Sequence, residues 1–189
     1  MLIAITGGIG CGKTVVSRIV GALGYEVYDC DSRAARIMDS DAAIKRMIAE
    51  RVHPESLTAD GHIDRKRLSE IVFGDYEALQ RLNSIVHEAV RADLSRWGAT
   101  RAASTFFVET AILYQSGLDR MVDAVWKVDA PLDLRISRVM ARNGVTREEV
   151  LARIASQDAF VPQAVHPSVF RIVNDGVEPI LPQVEALLK

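Results

Sequence analysis

The chain has 189 residues, 49% hydrophobic and 25% charged, with a formal net charge of −2. That length suits one compact globular domain with a sizeable core and a small appendage. The charge gives no global basic field for nucleic acid, and no apolar run approaches membrane-spanning length.

The two cysteines, Cys11 and Cys30, make no disulfide framework, and the apolar start Leu2–Ile5 is too short for a signal peptide and has no basic leader. The expectation is a cytoplasmic protein, monomer or weak oligomer, with no membrane or nucleic-acid partner. Any anion site must be built locally.

Leu2-Ile3-Ala4-Ile5 reads as a buried strand, about 2–6. Gly7-Gly8-Ile9-Gly10-Cys11-Gly12-Lys13-Thr14 follows and fits G-x-x-x-x-G-K-[ST]; a helix is expected over 13–23. Strand, glycine loop and helix together make a phosphate-binding P-loop. Glycines let successive N–H groups turn inward toward phosphate oxygens, and the helix adds its positive N-terminal end. The expected nucleotide-binding set is Gly8, Ile9, Gly10, Cys11, Gly12, Lys13, Thr14 and Val15, with Lys13 near the β/γ-phosphates and the Thr14 hydroxyl as a Mg²⁺ ligand.

A second strand, 25–28, leads into Tyr28-Asp29-Cys30-Asp31 and a helix over 31–51. Ligands of open α/β sheets bind beyond the carboxyl ends of strands, so two carboxylates stand where chemistry happens. Asp31 can accept a proton from an attacking hydroxyl or hold Mg²⁺ through water; equally, Asp29 or Asp31 can cap the helix that begins near Ser32.

After Pro54 and the Ala59-Asp60-Gly61 turn come helices at 64–73 and 75–97, with no strand between. The stretch 54–100 therefore reads as a helical insertion into a core made of 1–53 and 101–189. Asp64 suits an N-cap. Asn83, His87 and Arg91 form an i, i+4, i+8 line beside an apolar stripe of Leu79, Leu82, Val86, Val90 and Leu94. Spacing alone favours a solvated face over contact with a charged acceptor.

Strands are expected at 105–108 and 124–128, then helices at 131–142 and 146–158, a last strand at 169–173 and a closing helix at 179–188. Strands alternating with helices argue a mainly parallel α/β sheet. Arg135, Arg138 and Arg142 share one helix face, which suits either charge neutralisation on a transferring phosphoryl group or plain solvent exposure. Asn174-Asp175-Gly176 can cup a purine or simply turn the chain. The four histidines show no metal spacing.

Taken together, these residues resemble the dephospho-CoA kinase family along nearly the whole chain. Thr6–Thr14 is close to the family's TGGIGSGKS, and Asp29-Cys30-Asp31 followed by Ala34-Ala35-Arg36 is similar to its DAD-x-x-x-R segment, with the arginine one place further along. Asp64-Arg65-Lys66-Arg67-Leu68, Phe73, Leu82-Asn83 and His87 match its middle region, and Arg138, Arg142, Gln157 and Asn174-Asp175-Gly176 its last third. The departures are Cys11 for a usual serine, Glu88 for proline after His87, Gln115 for glutamate, and His166-Pro167-Ser168 where an Ala-Asp pair is common.

The resemblance implies a P-loop α/β/α core with a five-stranded parallel sheet, a helical acceptor-binding insertion and a mobile lid at about 131–158. It implies transfer of the γ-phosphoryl of ATP, with Mg²⁺, to the ribose 3′-hydroxyl of dephospho-CoA. It makes Asp31 the base, Arg138 and Arg142 lid arginines, Asn174 a neighbour of the adenine, and Arg65 and His87 acceptor-side residues. The alternative is a P-loop kinase for another small acceptor, such as a nucleoside monophosphate.

Overall fold

The computed structural model describes residues 1–101, 104–160 and 162–189. The strand β1 (Leu2–Thr6) is buried at every position, the pattern of a strand covered on both faces. It pairs in parallel with β3 (Phe106–Glu109) on one side and β4 (Ala124–Asp129) on the other. Outside these lie β2 (Val27–Asp29) and β5 (Val169–Val173), so the five-stranded order is β2-β3-β1-β4-β5, all parallel. The register sets Asp29 opposite Glu109 at the carboxyl ends of β2 and β3.

The chain divides into two compact units, Met1–Asp29 with Arg101–Lys189, and Cys30–Thr100. In the first, alternate strand residues Ile3, Ile5, Phe107, Trp126, Val128 and Ile172 pack on Val16 and Val20 of α1 (Lys13–Ala22) and Val184 of α8 (Ile180–Leu187). Phe107 sits at the centre, 5.0 Å from Trp126 and 5.5 Å from Tyr25 between ring centroids. Each such side chain removed from water contributes about 1.5–3 kcal/mol, so this layer anchors the loop between β1 and α1.

Two further helices of this unit, α6 (Leu132–Asn143) and α7 (Arg147–Asp158), form a hairpin. Gly144, at φ 65, ends α6 in the left-handed region, and Thr146 starts α7 with a capping box closed by Glu149. Ile136 and Val139 pack against Val150 and Ile154.

The second unit holds α2 (Cys30–Ser40), α3 (Ala42–Arg51), α4 (Arg65–Gly74) and α5 (Tyr76–Ala99). The single helix expected over 31–51 is two. Asp41 takes an extended conformation and its carboxylate accepts from the amides of Ala43 and Ile44, which restarts the helix. Asp64 and Asp75 cap α4 and α5 in the same way. Ile44 and Ile48 share one core with Leu68, Ala78 and Ile85, so α2 and α3 pack as part of this helical unit, which opens at Cys30. Among the described residues no helix is long and apolar enough to cross a membrane.

Candidate active site

The loop between β1 and α1 is shaped by what its glycines leave empty. At Gly12, φ is 92 and a Cβ would lie 2.1 Å from Asn174 Nδ2; at Gly10, φ is 80 and a Cβ would lie 2.5 Å from the Arg135 carbonyl. Any other residue there would be strained and would push the loop off its neighbours. The helix α1 begins at Gly12 with no side-chain cap, so no side chain stands between its positive end and an anion at the loop. Cys11 turns its side chain into the core below, away from the loop's ligand side.

Three cations, Lys13, Arg138 and Arg142, line the cavity beside the loop. Lys13 Nζ donates to the Gly7 carbonyl at 2.9 Å, along the rim of the loop. Arg138 and Arg142 of α6 line, with Gly10, Gly12, Lys13, Thr14, Val15 and Val139, a cavity of about 180 Å³. Arg142 is steadied by Asn143, whose Oδ1 accepts from its Nε at 2.9 Å.

Arg138 is fixed more tightly, donating to both the carbonyl (3.1 Å) and the Oδ1 (3.0 Å) of Asn174. Asn174 Nδ2 in turn donates to the Cys11 carbonyl at 2.8 Å. Asn174 is therefore a buried staple between loop and arginine, and its side-chain groups are spent on protein partners.

Thr14 Oγ1 donates to Glu109 Oε1 at 2.9 Å. A hydroxyl and a carboxylate so placed at the helix start are hard oxygen donors, which suits Mg²⁺, an ion that takes one or two protein ligands and leaves the rest to phosphate and water. Glu109 was not among the sequence-selected residues. The signal was present: it ends a buried strand next to β1, where the carboxyl-end rule puts ligand contacts.

The remaining predicted residues belong to the second unit. Asp31 stands in the first turn of α2, directly after the carboxyl end of β2, where a carboxylate is favoured by the helix dipole. Arg65 opens α4 and grips Asp39 through both carboxylate oxygens at 2.9 Å. His87 lies mid-way along α5. Burial, followed by the nearby Arg91 guanidinium, holds its pKa below the ordinary 6.5. Asn83, His87 and Arg91 are each half-buried, so the solvated face favoured by spacing is not what forms.

A parallel sheet with this order, a glycine loop opening onto a helix and arginines of a helical hairpin over that loop define a P-loop kinase. A shikimate kinase from Bacteroides thetaiotaomicron shares the fold at a TM-score of 0.50 and 16% identity. The dephospho-CoA kinase family model matches residues 1–177, and the chain belongs to that family. Among relatives named dephospho-CoA kinase, that of Porphyromonas gingivalis is 34% identical over 99% of this chain and 92% of its own length. The Thermus thermophilus one is 38% identical over 83% and 75% respectively. The crystal structure of a Thermus thermophilus protein superposes with a TM-score of 0.80 at 34% identity, covering 100% of this chain and 96% of that one. For the dephospho-CoA kinase of Campylobacter jejuni the values are 0.67 and 25%, with 99% and 94% covered.

Proposed function

We propose that this enzyme transfers the γ-phosphoryl group of ATP to the 3′-hydroxyl of the ribose of dephospho-CoA, completing coenzyme A. The observation that carries the reading is the cavity bounded by the glycine loop, Lys13, Arg138 and Arg142 in a chain of the dephospho-CoA kinase family. Three cations around one small cavity match a polyphosphate tail, and phosphoryl transfer asks a protein chiefly for positioning and charge stabilisation.

In this reading the loop from Gly8 to Val15 wraps the phosphates, with the Ile9 amide held by Gln157 and the amides of Cys11 and Val15 by loop carbonyls, and Lys13 turns from the Gly7 carbonyl to the β/γ-oxygens. Asp31 orients the ribose hydroxyl and takes its proton as the oxygen attacks in line. Arg138 and Arg142 neutralise charge gathering on the transferring group and, with the α6–α7 hairpin as lid, keep water out, since an open site would hydrolyse ATP. Arg65 and His87 serve the acceptor side, and Asn174 acts near the adenine through the geometry it imposes on Arg138 and Cys11. Mg²⁺, held by Thr14 and within reach of Glu109, would supply charge neutralisation between the phosphates. A cytoplasmic enzyme acting as a monomer or weak oligomer fits this chemistry.

The test is incubation with ATP, Mg²⁺ and dephospho-CoA, followed by mass analysis for one added phosphoryl group on the acceptor. Unmodified dephospho-CoA alongside phosphorylation of a nucleoside monophosphate would replace this reading with the other kinase.

A further inference from the structure

Ile9, in the middle of the glycine loop, is held from three sides. Its N–H donates to Gln157 Oε1 of α7 at 2.9 Å. Its carbonyl accepts from Arg135 Nε of α6 at 2.9 Å. Its side chain packs on the apolar core of the α6–α7 hairpin formed by Ile136, Val139, Val150 and Ile154. Gln157 is itself pinned, its Nε2 donating to the Ala111 carbonyl at 2.9 Å. Both peptide groups flanking one loop residue are thus engaged by the hairpin that carries Arg138 and Arg142.

Gly8 adds an independent observation. Its φ is not in the left-handed region, so its backbone does not require glycine. A Cβ on Gly8, however, would lie 2.3 Å from Arg135 Nη2 and 2.9 Å from Cζ. That Nη2 is buried and has no hydrogen-bond partner among the described residues. A guanidinium normally satisfies its donors, so a buried idle one marks a side chain held in place for another purpose. Here Nε is committed to Ile9 while the far end of the fork fills the space that Gly8 leaves. Gly8 is the seat of Arg135.

We propose that Arg135 and Gln157 are positioning residues for the phosphate loop: through Ile9 they hold its peptide planes in the phosphate-binding arrangement and tie the loop to the lid hairpin. Arg135 acts through the loop backbone, whereas Arg138 and Arg142 line the phosphate cavity. The Ile9 carbonyl drawn out to Arg135 and its N–H drawn to Gln157 fix the rotation of both peptide planes, which sets the direction of the amides that follow. The inference rests on the loop being the nucleotide site.

The test is a double-substitution cycle read by ATP affinity, by kcat and KM for ATP, and by Tm without ligand. ATP binding is measured directly, so it stands apart from the identity of the acceptor. Arg135→Ala should raise the Kd for ATP by about tenfold, the value of one lost charge-assisted hydrogen bond. Gly8→Ala should act through the same contact, expelling the guanidinium, and lower kcat/KM for ATP by up to about 10²-fold as the loop shifts.

The double variant should lose little more than the worse single one, because the contact can be broken only once. Gln157→Leu should also raise the Kd for ATP. If Arg135→Ala does not fold, Arg135→Lys, which keeps the stem and loses the fork, takes its place in the cycle. Additive losses from Gly8→Ala and the Arg135 substitution would overturn the proposal. So would a lowered Tm with unchanged ATP affinity, the result of a merely structural role. Failure to phosphorylate dephospho-CoA with a normal cycle in ATP binding would instead refute the acceptor assignment.

Discussion

Truncating Asn174 to alanine tests the site at its most connected point. The side chain is 7% exposed and makes two hydrogen bonds: its amide donates to the Cys11 carbonyl at 2.8 Å, and its oxygen accepts from Arg138 at 3.0 Å. A neutral bond of this kind is worth about 0.5–1.5 kcal/mol and one to a charged group about 1.5–3, so Asn174→Ala should cost about 2–4 kcal/mol. For a chain of this size each kcal/mol moves Tm by about 2–4 °C, so the expected loss is about 5–15 °C.

Arg138 keeps only the Asn174 backbone carbonyl, at 3.1 Å, and is freer to leave the cavity, so ATP affinity should fall as well. Asn174→Asp keeps an acceptor for Arg138 but sets a carboxylate against the Cys11 carbonyl and beside the phosphates. It should weaken ATP binding more than alanine does. Thermal denaturation with and without ATP, together with titration calorimetry, reads both effects. An alanine variant within about 2 °C of the unaltered protein with unchanged ATP affinity would refute the reasoning, since it would mean that neither bond orders the loop.

Other expectations concern the chemistry and the pH response. Lys13→Ala should abolish turnover while leaving the circular dichroism spectrum intact; retained activity would remove the loop lysine from the reaction. Asp31→Asn should lower kcat by about 10²–10⁴ if the carboxylate is the general base, and a change in KM alone would make it a binding residue. Arg142→Ala should slow transfer more than it weakens acceptor binding, with steady-state kinetics deciding the ranking. His87 has a folded-state pKa below 6.5, so the unfolded chain binds the proton more readily. Its contribution to stability is complete above pH 6.5 and is lost as pH falls through 6.5 toward the lower folded value. Tm should therefore drop on acidification in that window, and His87→Asn should flatten the drop; an unaltered slope would show that His87 is not the group responsible.

Local features were readable without any structure because their causes are local. Leu2–Ile5 is apolar at every position, which only a strand covered on both faces tolerates, and the loop after it carries its own turn chemistry in its glycines. Asp64 was recognisable as a cap because capping involves residues three apart. The expectation failed at Asp41, where the apolar periodicity runs on across the break and a single side chain restarts the helix. It failed again along Asn83, His87 and Arg91, because spacing states which residues share a face and not what covers that face.

What the order of amino acids fixed by itself, then, is the strand–loop–helix unit, the alternation that makes a parallel sheet and the helical stretch that interrupts it. These follow from periods of two and 3.6 residues and from glycine, and they need no partner far along the chain. Folding decided the rest: Glu109 against Thr14, Gln157 and Arg135 on Ile9, and Asn174 between Cys11 and Arg138. Each of those bonds joins residues between 36 and 163 positions apart. No local pattern encodes such a pairing; it exists only because a parallel sheet brings the carboxyl ends of its strands, and the segments that follow them, to one edge.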